Sequence, residues 1–309
     1  NCRILVREEK MVIRIKMKPI YKIMFFVSLV VLVLSFGALL VYGLNFGVDF
    51  TGGSAMELEF LELRPSVSET EAVLDSTLPD LEFLANPAGE NRVIIKTSEL
   101  SEADHQKIID ALGLKFGKVD EKSFDSIGPT VGQELRNKSI IAIFIVLIAI
   151  ACYIAFVFRK LSRTLSLWAM NLSALVGLLH DIIIPMGIFA ILGHYYNVEI
   201  SAIFVAAVLT ILGYTVSDKV VIFDRVRENI LKGDKSDLGI IVHKSVMQTL
   251  VRSINNTLTV ILSSAAIYFF GGESIRYFAL ALMIGIFLGA YSSIFVASPL
   301  LVYLQKRKK

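Results

Sequence analysis

Ionisable side chains stand inside stretches that are otherwise apolar. They are His180 and Asp181 in Leu178-Leu179-His180-Asp181, Asp218 in Gly213-Tyr214-Thr215-Val216-Ser217-Asp218-Lys219, and Arg252 close to Asn255 and Asn256. A carboxyl in a low-dielectric setting favours its protonated form, and a guanidinium drawn close favours the ionised one. An Asp and an Arg on neighbouring helices therefore suit proton relay, because movement of the Arg switches the Asp between holding and releasing a proton. Plainer readings stand beside this one. Asp218 and Arg252 also suit a static pair joining two helices, Arg252 alone suits snorkelling to the interface, and His180 suits a neutral imidazole bonded to a neighbouring helix. His105, His194 and His243 lie in hydrophilic segments without partners at metal-ligand spacing, so no metal and no other cofactor is expected. The chain has no Walker loop, HExxH helix or GxSxG elbow. Neither nucleotide use nor hydrolysis is indicated, and no enzyme is expected.

The elements that must position these groups are membrane spans. A bilayer span takes about 20 mostly apolar residues. Six stretches qualify: Ile23–Tyr42, Ile140–Phe158, Leu167–Leu192, Ile200–Phe223, Leu250–Phe270 and Tyr277–Leu304. The whole chain is 309 residues, 55% hydrophobic and 19% charged, with a mean hydropathy of +0.66. That composition excludes a disordered chain and argues against a soluble domain. The first span is too long for a signal-peptide core and is followed at once by an acidic stretch without a small-residue cleavage site. Met11 and Met17 are candidate natural starts. Two cysteines, Cys2 and Cys152, are too few for a disulfide scaffold, and Cys152 reads as a buried thiol.

Helix rise places the polar groups in depth. Asp218 follows Ile200 by 18 residues and Arg252 precedes Phe270 by 18, so both lie about 27 Å from the outer end of their spans. Asp181 is 11 residues before Leu192, about 17 Å from the outer end. Pro185 cannot bond the carbonyl of Asp181, which leaves that backbone free to bend or bind water. A ladder of polar groups across the bilayer is the expectation.

Lys and Arg counts in short loops set orientation. The leader carries Arg3, Arg7, Lys10, Arg14, Lys16, Lys18 and Lys22; the loop after span two carries Arg159, Lys160 and Arg163. Residues 224–249 carry Arg225, Arg227, Lys232, Lys235 and Lys244, and the tail ends Lys306, Arg307, Lys308, Lys309. On the opposite side, 193–199 has no Lys or Arg and 271–276 only Arg276. Both termini are thus expected in the cytoplasm. The long hydrophilic stretch 49–136 is expected outside, with 18 acidic and 8 basic residues, a net charge of −10 against +3 for the whole chain. The expected layout is a cytoplasmic segment 1–22, span one with its exit at 23–48, the outer domain 49–136, and five more spans in 137–309 with a cytoplasmic loop at 224–249 and a basic tail.

Within the outer domain, Met56, Leu58 and Phe60 alternate and predict a strand near Ala55–Leu61. Ser66 or Ser68 can cap a helix to Thr77, and Ser98 or Ser101 a second through Ile108, Ile109 and Leu112. Strands are predicted at Asp80–Ala85 and Arg92–Thr97, with Asn86-Pro87-Ala88-Gly89 as a turn between them, and a last strand at Val119–Ile127. That is the β-α-β-β-α-β order of ferredoxin-like domains. The fold class is a polytopic α-helical membrane protein with six transmembrane helices and one small α+β ferredoxin-like extracytoplasmic domain between helices 1 and 2. Gly52-Gly53, Gly213 and Gly271-Gly272 suit tight turns or close helix approach, and Asp224 suits an i,i+3 pair with Arg227.

Three motifs carry a family resemblance. Phe46-Gly47-Val48-Asp49-Phe50-Thr51-Gly52-Gly53 resembles a signature of the SecD/SecF family of protein-export membrane proteins, and Phe50-Thr51 after Asp49 resembles the SecF branch. Leu179-His180-Asp181 resembles a second motif. The run from Gly213 and Tyr214 through Asp218 to Phe223-Asp224-Arg225-Val226-Arg227-Glu228-Asn229 resembles a third, and the likeness continues through Arg252 and Phe269-Phe270-Gly271-Gly272. Ser217 and Lys219 depart from the pattern, which often has Asn before the Asp and Thr after it. The resemblance implies half of a resistance-nodulation-division-like assembly in the plasma membrane of a prokaryote, coupled to proton-motive force through Asp218 and Arg252. It also implies a SecD-like subunit, the Sec translocon channel and a translocating unfolded protein as partners within the lipid bilayer, and no nucleic acid. Other readings are a stand-alone half-size exporter of lipids or small molecules, which would have to homodimerise, and a purely structural scaffold. An intramembrane aspartyl protease using Asp181 and Asp218 is opposed by a depth difference of about 10 Å and by the lack of a GxGD motif.

Overall fold

The computed structural model describes residues 19–61, 64–159, 165–234 and 236–306. The basic leader up to Lys18, Lys160, Arg163, Lys235 and the last three basic residues lie outside these. The chain begins with α1 (Pro19–Tyr42) and a single-turn α2 (Val48–Thr51). The outer domain follows as β1 (Gly53–Phe60), α3 (Val67–Thr77), β2 (Leu84–Ala88), β3 (Arg92–Thr97), α4 (Glu102–Phe116) and β4 (Val119–Ile127). Then come α5 (Pro129–Val157), α6 (Leu167–Tyr196), α7 (Ala202–Leu231), α8 (Leu238–Phe270) and α9 (Glu273–Ser292). A π-helical turn at Ser293–Ala297 joins α9 to α10 (Ser298–Lys306) as one continuous span. Among the described residues, six helices are long and apolar enough to cross a membrane.

The outer domain has its own core. Ser66 closes a capping box with Glu69 at the start of α3, and the Ser101 hydroxyl accepts from the Asp104 amide at the start of α4. Both helices pack Val73, Leu74, Ile108 and Leu112 on one sheet face, against Met56, Leu58, Phe60, Val93 and Ile95. The sheet is antiparallel throughout with order β2-β3-β1-β4, as the ferredoxin-like expectation requires. One strand differs from expectation: β2 lies at Leu84–Ala88 and takes in Asn86-Pro87, while Gly89, at φ +67°, makes the turn. Pro87 is accommodated because β2 is an edge strand, where a missing N–H costs no ladder bond. Across the strands, Arg92 pairs with Glu57 at 2.9 Å and Glu59 at 3.0 Å, and Lys122 with Glu59 at 2.8 Å. Lys122 and then Arg92 hold the Glu59 carboxyl below its ordinary range.

In the bundle, α6 packs against α1, α5, α7, α9 and α10 and is the most enclosed span. The core runs through Leu178, Phe189, Phe204, Leu212, Phe223 and Leu301. Helix α5 only flanks the bundle, so Cys152 faces outward and is exposed rather than buried as expected. Residues 129–136 are helical and continuous with span two, since Pro129 occupies the first turn of α5, where its missing N–H is no loss.

Candidate functional site

Asp218 and Lys219 are consecutive on α7, so their side chains project about 100° apart and serve different neighbours. Asp218 faces α8, where the Ser253 hydroxyl donates to its Oδ2 at 2.9 Å. Lys219 faces α6, where its Nζ donates to Asp181 Oδ2 at 2.6 Å. Side chains on a helix lean toward its N-terminus, so the long Lys219 stem reaches toward the outer-domain end, where Asp181 sits. Neither member of this pair has any exposed surface. Gly177, one turn before Asp181 on α6, makes the room: a Cβ there would lie 2.6 Å from Lys219 Cε.

His180 Nδ1 lies 3.2 Å from Asp181 Oδ1, so both oxygens of Asp181 are engaged. The His180 ring lies near-parallel to Tyr291, centroids 6.2 Å apart, and Tyr291 in turn donates to the Met24 carbonyl of α1 at 2.8 Å. His180 Nε2 is buried without a protein partner.

The level of Arg252 is as expected, but the pairing is not. Ser253 meets Asp218 directly, while Arg252 is exposed and makes no pair with it. Adjacent positions on α8 project about 100° apart, so they meet different parts of the α7 surface. Among the described residues Asp218 makes no ion pair. Arg252 instead lines a cavity of about 390 Å³ with Asp224, Arg225, Glu228 and Gln248 at the other end of the bundle from the outer domain. Arg225 pairs with Glu228 at 2.5 Å and Arg227 with Asp224 at 3.1 Å. On the outer-domain side of Asp218, Tyr214 lies one turn earlier on α7 and Thr257 one turn after Ser253 on α8. Their hydroxyls are buried without protein partners, as is that of Thr215. Gly213 has open space where a Cβ would stand, so it does not serve a close helix approach.

The first motif is a joint. Asp49 Oδ2 accepts from the Ala202 amide at 2.6 Å, capping the first turn of α7 alongside Ser201. Ile200 exchanges backbone bonds with the segment before α2: its N–H reaches Asn45 O at 2.7 Å and its carbonyl receives Gly47 N at 3.0 Å. Phe50 is buried in the bundle core, and the Thr51 hydroxyl donates to Gly47 O at 3.1 Å. Gly52 at φ +78° and Gly53 at φ +123° take conformations that other residues resist; Cβ atoms there would meet Pro129 Cα at 2.5 Å and Thr97 O at 2.6 Å. Arg136 lies over the Phe46 ring at 4.5 Å, and Lys96 of β3 forms an ion pair with Glu199.

Residues 108–307 match the family described as protein export membrane protein SecD/SecF, C-terminal, and residues 37–60 match the SecD/SecF GG motif. The chain belongs to the SecD/SecF family. A protein translocase subunit SecF from Thermobaculum terrenum is 39% identical over 289 residues, covering 90% of each chain. SecDF from Brucella abortus is 36% identical over 84% of this chain but only 33% of its own. The crystal structure of SecDF from Thermus thermophilus, a translocon-associated membrane protein, superposes with a TM-score of 0.80 at 29% identity, covering 93% of this chain and 38% of that one. The chain thus spans less than two fifths of that SecDF. With SecF relatives matched over nearly their whole length, this is a SecD/SecF-type protein translocation subunit and a multi-pass membrane protein.

Sequence reasoning marked Asp181, His180, Asp218 and Arg252 as candidates. It missed Ser253, which no pattern marked, and the direction of Lys219. It also missed the roles of Asp49 and Gly177, which depend on backbone and stem atoms of other helices.

Proposed function

We propose that this chain is the SecF-type half of a proton-coupled translocase, in which Asp218 carries the proton. The observation behind this choice is the contrast between two buried carboxylates. Asp181 is paired with the Lys219 side chain at 2.6 Å, whereas Asp218 has a neutral hydroxyl at 2.9 Å. A carboxyl without a buried counter-ion exchanges a proton at lower cost than one whose protonation strands an ammonium. The unpartnered hydroxyls of Tyr214 and Thr257 suit water on one side of it. The cavity bearing Arg252, Asp224 and Arg225 lies on the other. Arg252 serves as the mobile cation that approaches Asp218 during the cycle, with Asp181, His180 and Lys219 holding α6 to α7.

The orientation follows from the Lys and Arg counts: both termini in the cytoplasm, and the acidic domain 49–136 outside the plasma membrane of a prokaryote. A SecD-like subunit covers α8. Arg252, Asn255, Asn256, Thr259 and Ser263 form one exposed stripe on that span, and polar faces within a bilayer turn to protein or water rather than lipid. The Sec channel and an unfolded chain emerging beside the outer domain complete the assembly. The test is late-stage export of a secreted protein into membrane vesicles, with and without an imposed proton gradient. Asp218→Asn is expected to abolish the gradient-dependent increment while the gradient-independent part persists. An unchanged increment would sink the relay.

A further inference from the structure

Helix α7 carries Asp218, and its outer end is fastened to the exit of α1 and to the outer domain. Three kinds of contact converge there: the Asp49 carboxylate on the Ala202 amide, two backbone bonds of Ile200 with Asn45 and Gly47, and the Lys96–Glu199 ion pair from β3. On its other side the same short segment is wedged against Pro129 at the head of α5 and against Thr97 of β3. Beside this joint the sheet face stands off the helix ends. A cavity of about 590 Å³ bordered by Lys96 and Glu199 extends from the joint between Ser123 and Asp125 of the sheet and Tyr196 and Phe278 at the helix ends. The domain is therefore fastened to the bundle through one short segment and one ion pair, with open space beside them under the sheet.

We propose that the Asp49 segment, with Glu199 and Lys96, is the transmission between the proton-bearing helix and the outer domain. Helix α7 runs unbroken from Ala202 to Leu231 without a proline, and Ala202 and Asp218 are 16 residues apart, about 24 Å. A shift of α7 at Asp218 is delivered to its first turn, where Asp49 and Glu199 pass it to β1 and β3. The standoff cavity gives the sheet space to swing. Asp49, Glu199 and Lys96 are positioning residues: they touch neither the proton nor a translocating chain. The source of the movement rests on the proton-coupled reading above; the joint itself does not.

The test uses the full chain in lipid nanodiscs, with Cys2 and Cys152 replaced by Ser. Spin labels stand at Leu114 on α4 and Phe270 at the α8–α9 turn, which are 89% and 90% exposed. The distance distribution between them is expected to be narrow in the parent. It should broaden at least twofold in Glu199→Lys, Lys96→Glu and Asp49→Ala, and return to the parent width in the Lys96→Glu/Glu199→Lys double swap. Gradient-dependent export should be lost in the single charge reversals and regained in the swap. Where a reversal fails to fold, Glu199→Gln decides in its place by the same broadening. A parent-like width in Glu199→Lys or Glu199→Gln overturns the proposal, as does a double swap that stays broad. Retained gradient dependence in Asp218→Asn would refute the proton-coupled reading instead, so the two failures are told apart.

Discussion

Replacing Lys219 by Met tests whether the buried ion pair organises the bundle. Lys219 Nζ and Asp181 Oδ2 are 2.6 Å apart with no exposed surface on either side chain. Met keeps most of the stem's volume, so the cavity contribution is small and the cost is that of stranding Asp181. Removing one partner of a buried pair costs about 3–5 kcal/mol, which is roughly two to three and a half decades in the folded-to-unfolded ratio. Asp181→Asn keeps a carbonyl oxygen for the Lys219 ammonium, so its cost falls at the lower end of that range. The double variant strands no charge and is expected within about 1 kcal/mol of the parent, giving a coupling energy of roughly 3 kcal/mol or more. The assay is reversible unfolding in mixed micelles of rising denaturing-detergent fraction, followed by the fluorescence of Trp168, the chain's single tryptophan. If Lys219→Met alone cost less than about 1 kcal/mol, or if the two single costs simply added, the pair would not be the organising contact argued here.

Gly177→Ala places a Cβ 2.6 Å from Lys219 Cε. It should cost about 1–3 kcal/mol in the parent, as overpacking does, and much less in the Lys219→Met background, measured by the same unfolding assay. In the loop between α7 and α8, Asp234 is held down to about 2 by the Ser236 hydroxyl first, then Lys244, then the Ser236 amide. Since the folded value lies below the unfolded one, the stabilisation is complete above about pH 4 and is lost as pH falls toward 2. The difference in thermal midpoint between the parent and Asp234→Asn should therefore close over that window, and a difference constant down to pH 2 would contradict the assignment.

The spans, the outer domain and its strand order could be read from sequence because hydropathy and alternation report directly on burial. Rotation about a helix axis could not. Arg252 and Ser253 are neighbours in sequence and at one depth, and only packing against α7 decides which of them meets Asp218. Lys219 was conspicuous as a cation in an apolar run, yet its destination depended on a gap opened by Gly177 on another helix. The Asp49 segment was recognisable as a motif, but its partners are the backbone atoms of Ile200 and Ala202, which no side-chain pattern marks.

The polar stripe on α8 also bears on how the chain is made. Its most apolar window has a mean hydropathy of 1.2, against 3.2 for α5 and 2.8 for α1. A segment carrying Arg252, Asn255 and Asn256 partitions poorly into lipid by itself. In chain order α7 precedes α8 and carries Asp218, with which Ser253 makes its bond, so a polar partner for α8 is synthesised before it. Helices α1 and α5 need no such escort. The two most apolar spans thus flank the outer domain, and the least apolar one follows in the chain directly after the helix whose Asp218 it meets.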